Sequence, residues 1–136
     1  MNFNDAKITS LYAGEPGSVK DIQDDAPNTQ PGGKYRVTLE MVAGGGVAGP
    51  YKLITTCTDV TTATSAPAQA PGAPLNGAGT FQSSPWVPDG TNWVFNQSVT
   101  LSAPSAAGVY QLTAALYNNN HQIVSIRQSE PFFLEA

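Results

Sequence analysis

The chain reads as an all-β antiparallel sandwich, and three observations predict it. Apolar and polar residues alternate with a period of two over 35–43, 92–101 and 109–118. Gly- and Pro-rich turns separate these runs at roughly regular spacing. Helical periodicity is nearly absent, and no internal repeat is visible. Seven or more strands are expected. At 136 residues the chain is expected to form one domain over 1–136 and to bury roughly two-thirds of its unfolded surface.

The elements follow in order. Residues 5–13, "DAKITSLYA", read as a first strand. Residues 14–34 are dense in Gly, Pro, Asp and Asn, so a long irregular loop is expected, with room for one helical turn around Val19 to Asp24. "KYRVTLEMVA" sets Tyr35, Val37, Leu39 and Met41 on one face against Arg36, Thr38 and Glu40 on the other. "YKLITTCTDV", rich in β-branched residues, gives a third strand near 51–60. From Thr61 to Ser84 the chain is mostly Ala, Pro, Gly, Ser and Thr, with no charged residue. That stretch is expected to be a functional or mobile loop that builds no core.

"PWVPDGTNW" places Pro88-Asp89-Gly90 as a turn between two tryptophans. "NWVFNQSVTLSA" is a fourth strand, with Trp93, Phe95, Val99 and Leu101 sharing one parity. "GVYQLTAALY" is the clearest strand of all. Asn118-Asn119-Asn120 then supplies a tight hairpin turn, because Asn tolerates the left-handed region. Pro131 interrupts the last strand, which implies an edge or a bulge there. The expected core is Val37, Leu39, Trp93, Phe95, Tyr110, Leu112 and Leu116.

"AAGVYQLTAALYNNNHQIVSI" combines a turn, Gly-x-Tyr, an alternating strand, a short hairpin and a final strand. It resembles the end of an immunoglobulin-like or fibronectin-III-like domain. The resemblance implies a tyrosine corner at Tyr110, with its hydroxyl bonded back to the preceding turn. It also puts Leu112 at the usual cysteine position, opposite Val37 or Leu39. Two departures stand out. No intradomain disulfide is possible, since Cys57 is the only cysteine, and the third strand offers Tyr51 or Leu53 in place of a core tryptophan. The fold implies no activity, because it hosts many unrelated ones.

Composition narrows the function. Charged residues make up 12% of the chain, about half the usual share, and the net charge is −4. The few basic residues, among them Lys7, Lys20, Lys34 and Arg36, do not cluster. No nucleic acid is therefore expected as a partner, since phosphate backbones need a concentrated basic footprint. No segment approaches the ~20 apolar residues of a membrane span, so no membrane partner is expected. "MNFNDAKITS" lacks a signal-peptide pattern, which leaves a cytoplasmic or particle-associated protein, or a mature extracellular fragment.

Chemistry is sparse. His121, the one histidine, follows three asparagines and reads as a solvated turn residue rather than a general base. Cys57 sits among threonines with no cation to lower its pKa, and reads as a packed thiol. Asp21, Asp24 and Asp25, with Glu15 nearby, form an acidic patch whose spacing matches no EF-hand, so calcium is an open minor alternative. "AGGGVAGPYK" lacks the Gly-Lys-Ser/Thr ending of a phosphate loop. Asn96-Gln97-Ser98 is a glycosylation sequon. No catalytic set, metal site or cofactor is expected.

"PWVPDGTNW" carries the binding potential. Trp86, Phe81, Pro88 and Asp89 are the candidate binding residues, with Tyr51 and Tyr117 available to extend a stacking platform. The expected function is a non-catalytic interaction or assembly module that acts through surface loops, by a protein partner or self-association. The alternatives are a carbohydrate-binding module using Trp86 on a glycan, or a structural surface subunit of a particle, virion or appendage.

Overall fold

The computed structural model describes residues 5–14, 30–47, 49–68, 78–82 and 85–134. Ten strands are present among the described residues: β1 (Ala6–Gly14), β2 (Lys34–Gly44), β3 (Pro50–Asp59), β4 (Thr64–Ala68), β5 (Ala78–Thr80), β6 (Val87–Asp89), β7 (Asn92–Ser102), β8 (Gly108–Tyr117), β9 (Ile123–Gln128) and β10 (Phe132–Leu134). They form two antiparallel sheets. The first runs β1-β2-β7-β6; the second runs β10-β8-β3-β4, with β5 also on β3 and β9 also on β8.

β4 and β5 pair with opposite ends of one side of β3, and β9 and β10 share one side of β8 in the same way. The second sheet is therefore four tracks wide. Both strand orders are those of an immunoglobulin-like sandwich, A-B-E-D against G-F-C with one further strand beside C.

The core sits between the sheets, and alternation explains its membership. Tyr35, Val37, Leu39 and Met41 of β2 all point inward and are buried, as is Phe95 of β7. Tyr51, Leu53 and Cys57 of β3 meet them from the other sheet, in register with Leu116 and Leu112 of β8. All the expected core residues belong to this cluster, Trp93 being half-buried against it rather than fully inside. Leu112, at the position where the resemblance expects a cysteine, is fully buried, and within its own sheet it stands cross-strand from Cys57.

Two devices join the sheets and complete the ladders. A bulge between Ile8 and Ser10 shifts the register of β1, and the Ile8 amide donates to Ser125 Oγ of β9 at 3.0 Å. At the break before Pro131, Ser129 replaces a lost ladder. Its amide donates to the Leu112 carbonyl at 2.9 Å, and its hydroxyl oxygen accepts from the Leu112 amide at 3.0 Å. The interruption that Pro131 predicts is thus real, and a buried serine satisfies the strand beneath it.

Three turn expectations are corrected. Pro88 lies within edge strand β6, where a missing amide is tolerated, and the β6–β7 turn is Gly90-Thr91 with Gly90 at φ +63°. In the β8–β9 hairpin the left-handed residue is His121, at φ +60°, not one of the asparagines. Asn118 has another role, its Oδ1 accepting from the amides of Asn120 and Gln122 at 2.9 and 3.0 Å. Finally, the 61–84 stretch contributes two short strands and one fully buried ring, Phe81, among its described residues. Cross-strand pairing with β3 gives an Ala- and Thr-rich segment order that its own hydrophobicity does not. The possible helical turn around Val19 to Asp24 lies outside the described residues.

Candidate functional site

The β6–β7 hairpin positions a surface concavity. Its register pairs Val87 with Val94 and Pro88 with Trp93. Side chains alternate across the sheet, so Trp86 and Phe95 turn inward while Val87 and Val94 turn outward. Outside, Pro85, Val87, Pro88 and Val94 form apolar walls, with Asp89, Asn96 and Gln97 as the polar members. The groove encloses about 330 Å³. Val87 is 60% exposed. Val87, Asp89 and Asn96 are exposed along this edge, with Gln97 half-buried beside them.

The candidate binding residues divide between two environments. Pro88 and Asp89 line the groove. Trp86 and Phe81 do not: they are 3% and 0% exposed, and the exposed stacking platform is corrected to an interior cluster. Trp86 packs on Phe95 and Phe81, each at 5.3 Å between ring centroids, and on Tyr51 at 5.8 Å. Four rings bury far more apolar area inward than a loop platform would leave in water, which decides the orientation. Gln82 holds this segment down, its amide donating to the Val47 carbonyl at 2.8 Å. Tyr117, the outer extension of the supposed platform, lies on β8 in the other sheet.

The nucleophile and base candidates stay apart. Cys57 pairs with Leu112 in the strand interior, whereas His121 stands exposed at the hairpin tip beyond Tyr117. Burial pushes the Cys57 thiol up to about 11, and the Asp59 carboxylate adds to the rise, while the Tyr35 hydroxyl beside it pulls the other way. Such a thiol is protonated at neutral pH and is a poor nucleophile. No group of three or more His, Cys, Asp or Glu side chains able to hold a metal occurs among the described residues. Asp21, Asp24 and Asp25 lie outside them.

Sequence reasoning missed the groove's other walls. Val94 has the parity opposite to Phe95, and an apolar residue at an outward position was the available signal. Asn96 and Gln97 were legible only as part of a sequon.

No family model matches this chain, and no curated protein matches it. Among solved structures, a Niemann-Pick type C2 protein from Japanese carpenter ant is similar in fold. The match covers 98% of this chain and 96% of that one, with a TM-score of 0.52 and 8% sequence identity. At that identity the likeness concerns architecture. The chain is an immunoglobulin-like β-sandwich without a disulfide.

Proposed function

We propose that the chain is a non-catalytic interaction module that binds a protein segment in the groove beside β6. The single observation that carries this reading is the outward Val87–Val94 pair with Asp89 at the groove's rim. Apolar walls with a few convergent polar groups are the usual make-up of a binding site. The site favours an extended segment that inserts an aliphatic or aromatic anchor and sets a basic residue against Asp89. Pro88, which carries no amide, disfavours simple addition of a strand to this edge, so side-chain capture is the mode.

A displayed random-peptide library panned on the immobilised chain tests it. Enriched peptides are expected to combine an apolar anchor with Lys or Arg, and to lose binding to Val87→Asp. Enrichment of peptides that bind Val87→Asp equally well would place recognition elsewhere. Glycan recognition by stacking on Trp86 has no exposed ring to work with, and the same protein on a glycan array is expected to give no Trp86-dependent signal.

A further inference from the structure

The outer face of the second sheet is chemically unlike the rest of the molecule. The chain carries ten acidic residues, yet none stands at an outward position on β3, β8, β9 or β10. Register sets side chains across this face in rows. One apolar row is Ile126–Ala115–Ile54. Another is Phe133–Val109, with Val60 bonded to the Val109 carbonyl beside it. Between them lie neutral polar rows, among them Gln128–Thr113–Thr56. Ile126 and Phe133 are 61% and 59% exposed, and Ile123 and Val60 are also open to solvent. Of the large hydrophobic side chains exposed among the described residues, Val87 alone lies outside this sheet and the turn beside it.

The neighbouring edge is closed to strand addition. β9 is bulged at Val124, β1 lies against it through the Ile8–Ser125 bond, and Arg127 sits at an inward position on the edge. The face itself is open.

We infer that this face packs against the same face of a second copy of the chain. The pattern is self-complementary. A two-fold axis in the interface, perpendicular to the strands, lays the Ile126–Ala115–Ile54 row of each copy over the Val109–Phe133 row of the other. Ala115 and Val109 are six residues apart on β8, about 20 Å, so both apolar rows are engaged at once. No carboxylate faces another across the interface. Four tracks by about 26 Å span roughly 500 Å² on each copy before pleating adds to it, so the pair reaches the roughly 1,000 Å² that a specific interface needs. Face-to-face sheet packing of this kind is the aligned packing already found inside a sandwich.

This inference is independent of the groove reading. Sedimentation equilibrium of the full chain tests it, with Ile126→Asp, Phe133→Asp and Val87→Asp alongside. A dimer is expected for the parent and for Val87→Asp. Ile126→Asp and Phe133→Asp are each expected to weaken it by about tenfold or more. Melting temperatures within a few degrees of the parent show that the variants fold, as these exposed positions require. A parent that stays monomeric at about 0.3 mM, or a dimer that both aspartate variants leave intact, overturns the inference. Loss of the dimer on Val87→Asp alone overturns it too.

Discussion

The Tyr110 hydroxyl donates to the carbonyl oxygen of Ala106 at 2.7 Å, tying the start of β8 to the turn four residues before it. This is the corner that Gly-x-Tyr implies, and the ring that makes it is packed at 6.1 Å from Phe132. Ala106 is exposed, so water can replace the lost donor in Tyr110→Phe. A loss of about 1 kcal/mol is expected, near the middle of the range for one hydrogen bond. Urea unfolding should show a lower midpoint with an unchanged slope. An unchanged midpoint would mean that the hydroxyl contributes nothing to the turn.

Thr55 presents the opposite case. It is fully buried on the inner face of β3, and its hydroxyl has no hydrogen-bond partner among the described residues. A buried unsatisfied polar group costs about 1–3 kcal/mol. Thr55→Val keeps the shape and removes the orphan group, and it should stabilise the fold by about 1 kcal/mol. Thermal unfolding checks this. A lower melting temperature for Thr55→Val would show that the hydroxyl is satisfied in solution.

Which parts of this structure were legible depends on where the forces act. β2 and β8 announce themselves because each has one buried and one open face, so Tyr35 to Met41 and Tyr110 to Leu116 alternate. The corner at Tyr110 was legible because it is local, four residues from its acceptor. β4 and β5 were not, because Thr64–Ala68 and Ala78–Thr80 gain their order from pairing with β3 rather than from an alternating pattern. Trp86 was ambiguous for a related reason. A residue just before an edge strand has no periodicity to fix its side, and only the register Val87↔Val94 turns its ring inward toward Phe95. The groove follows from that same register, so it could not be seen before the hairpin was placed.

His121 holds φ +60° in the β8–β9 hairpin, a conformation that costs a non-glycine residue about 1–2 kcal/mol. Its amide donates to the Asn118 carbonyl at 3.1 Å, and its side chain is exposed. His121→Gly removes the steric cost and adds some unfolded-state entropy, so a net gain of a few tenths to about 1 kcal/mol is expected. Differential scanning calorimetry of the two proteins measures it. A substantial destabilisation would give the imidazole a structural partner and overturn the turn-residue reading.

The core also predicts how stability depends on pH. Burial raises the Cys57 thiol from its ordinary 9.0 to about 11, and raises the hydroxyls of Tyr35 and Tyr51 above their ordinary 10.0. The unfolded chain therefore releases the Cys57 proton from about pH 9, whereas the folded chain holds it until about pH 11. In that window the unfolded state binds fewer protons than the folded one, so stability falls as pH rises. It is fully present below pH 9. The tyrosines extend the decline above pH 10 in the same direction. Denaturant midpoints measured from pH 7 to 11 should be level at first and then drop. Cys57→Ala should flatten the first part of the drop, and Tyr35→Phe the later part, whatever each costs in packing at pH 7. A parent and a Cys57→Ala variant with parallel curves across pH 9–11 would show that the thiol ionises equally in both states, and that it is not held within the core.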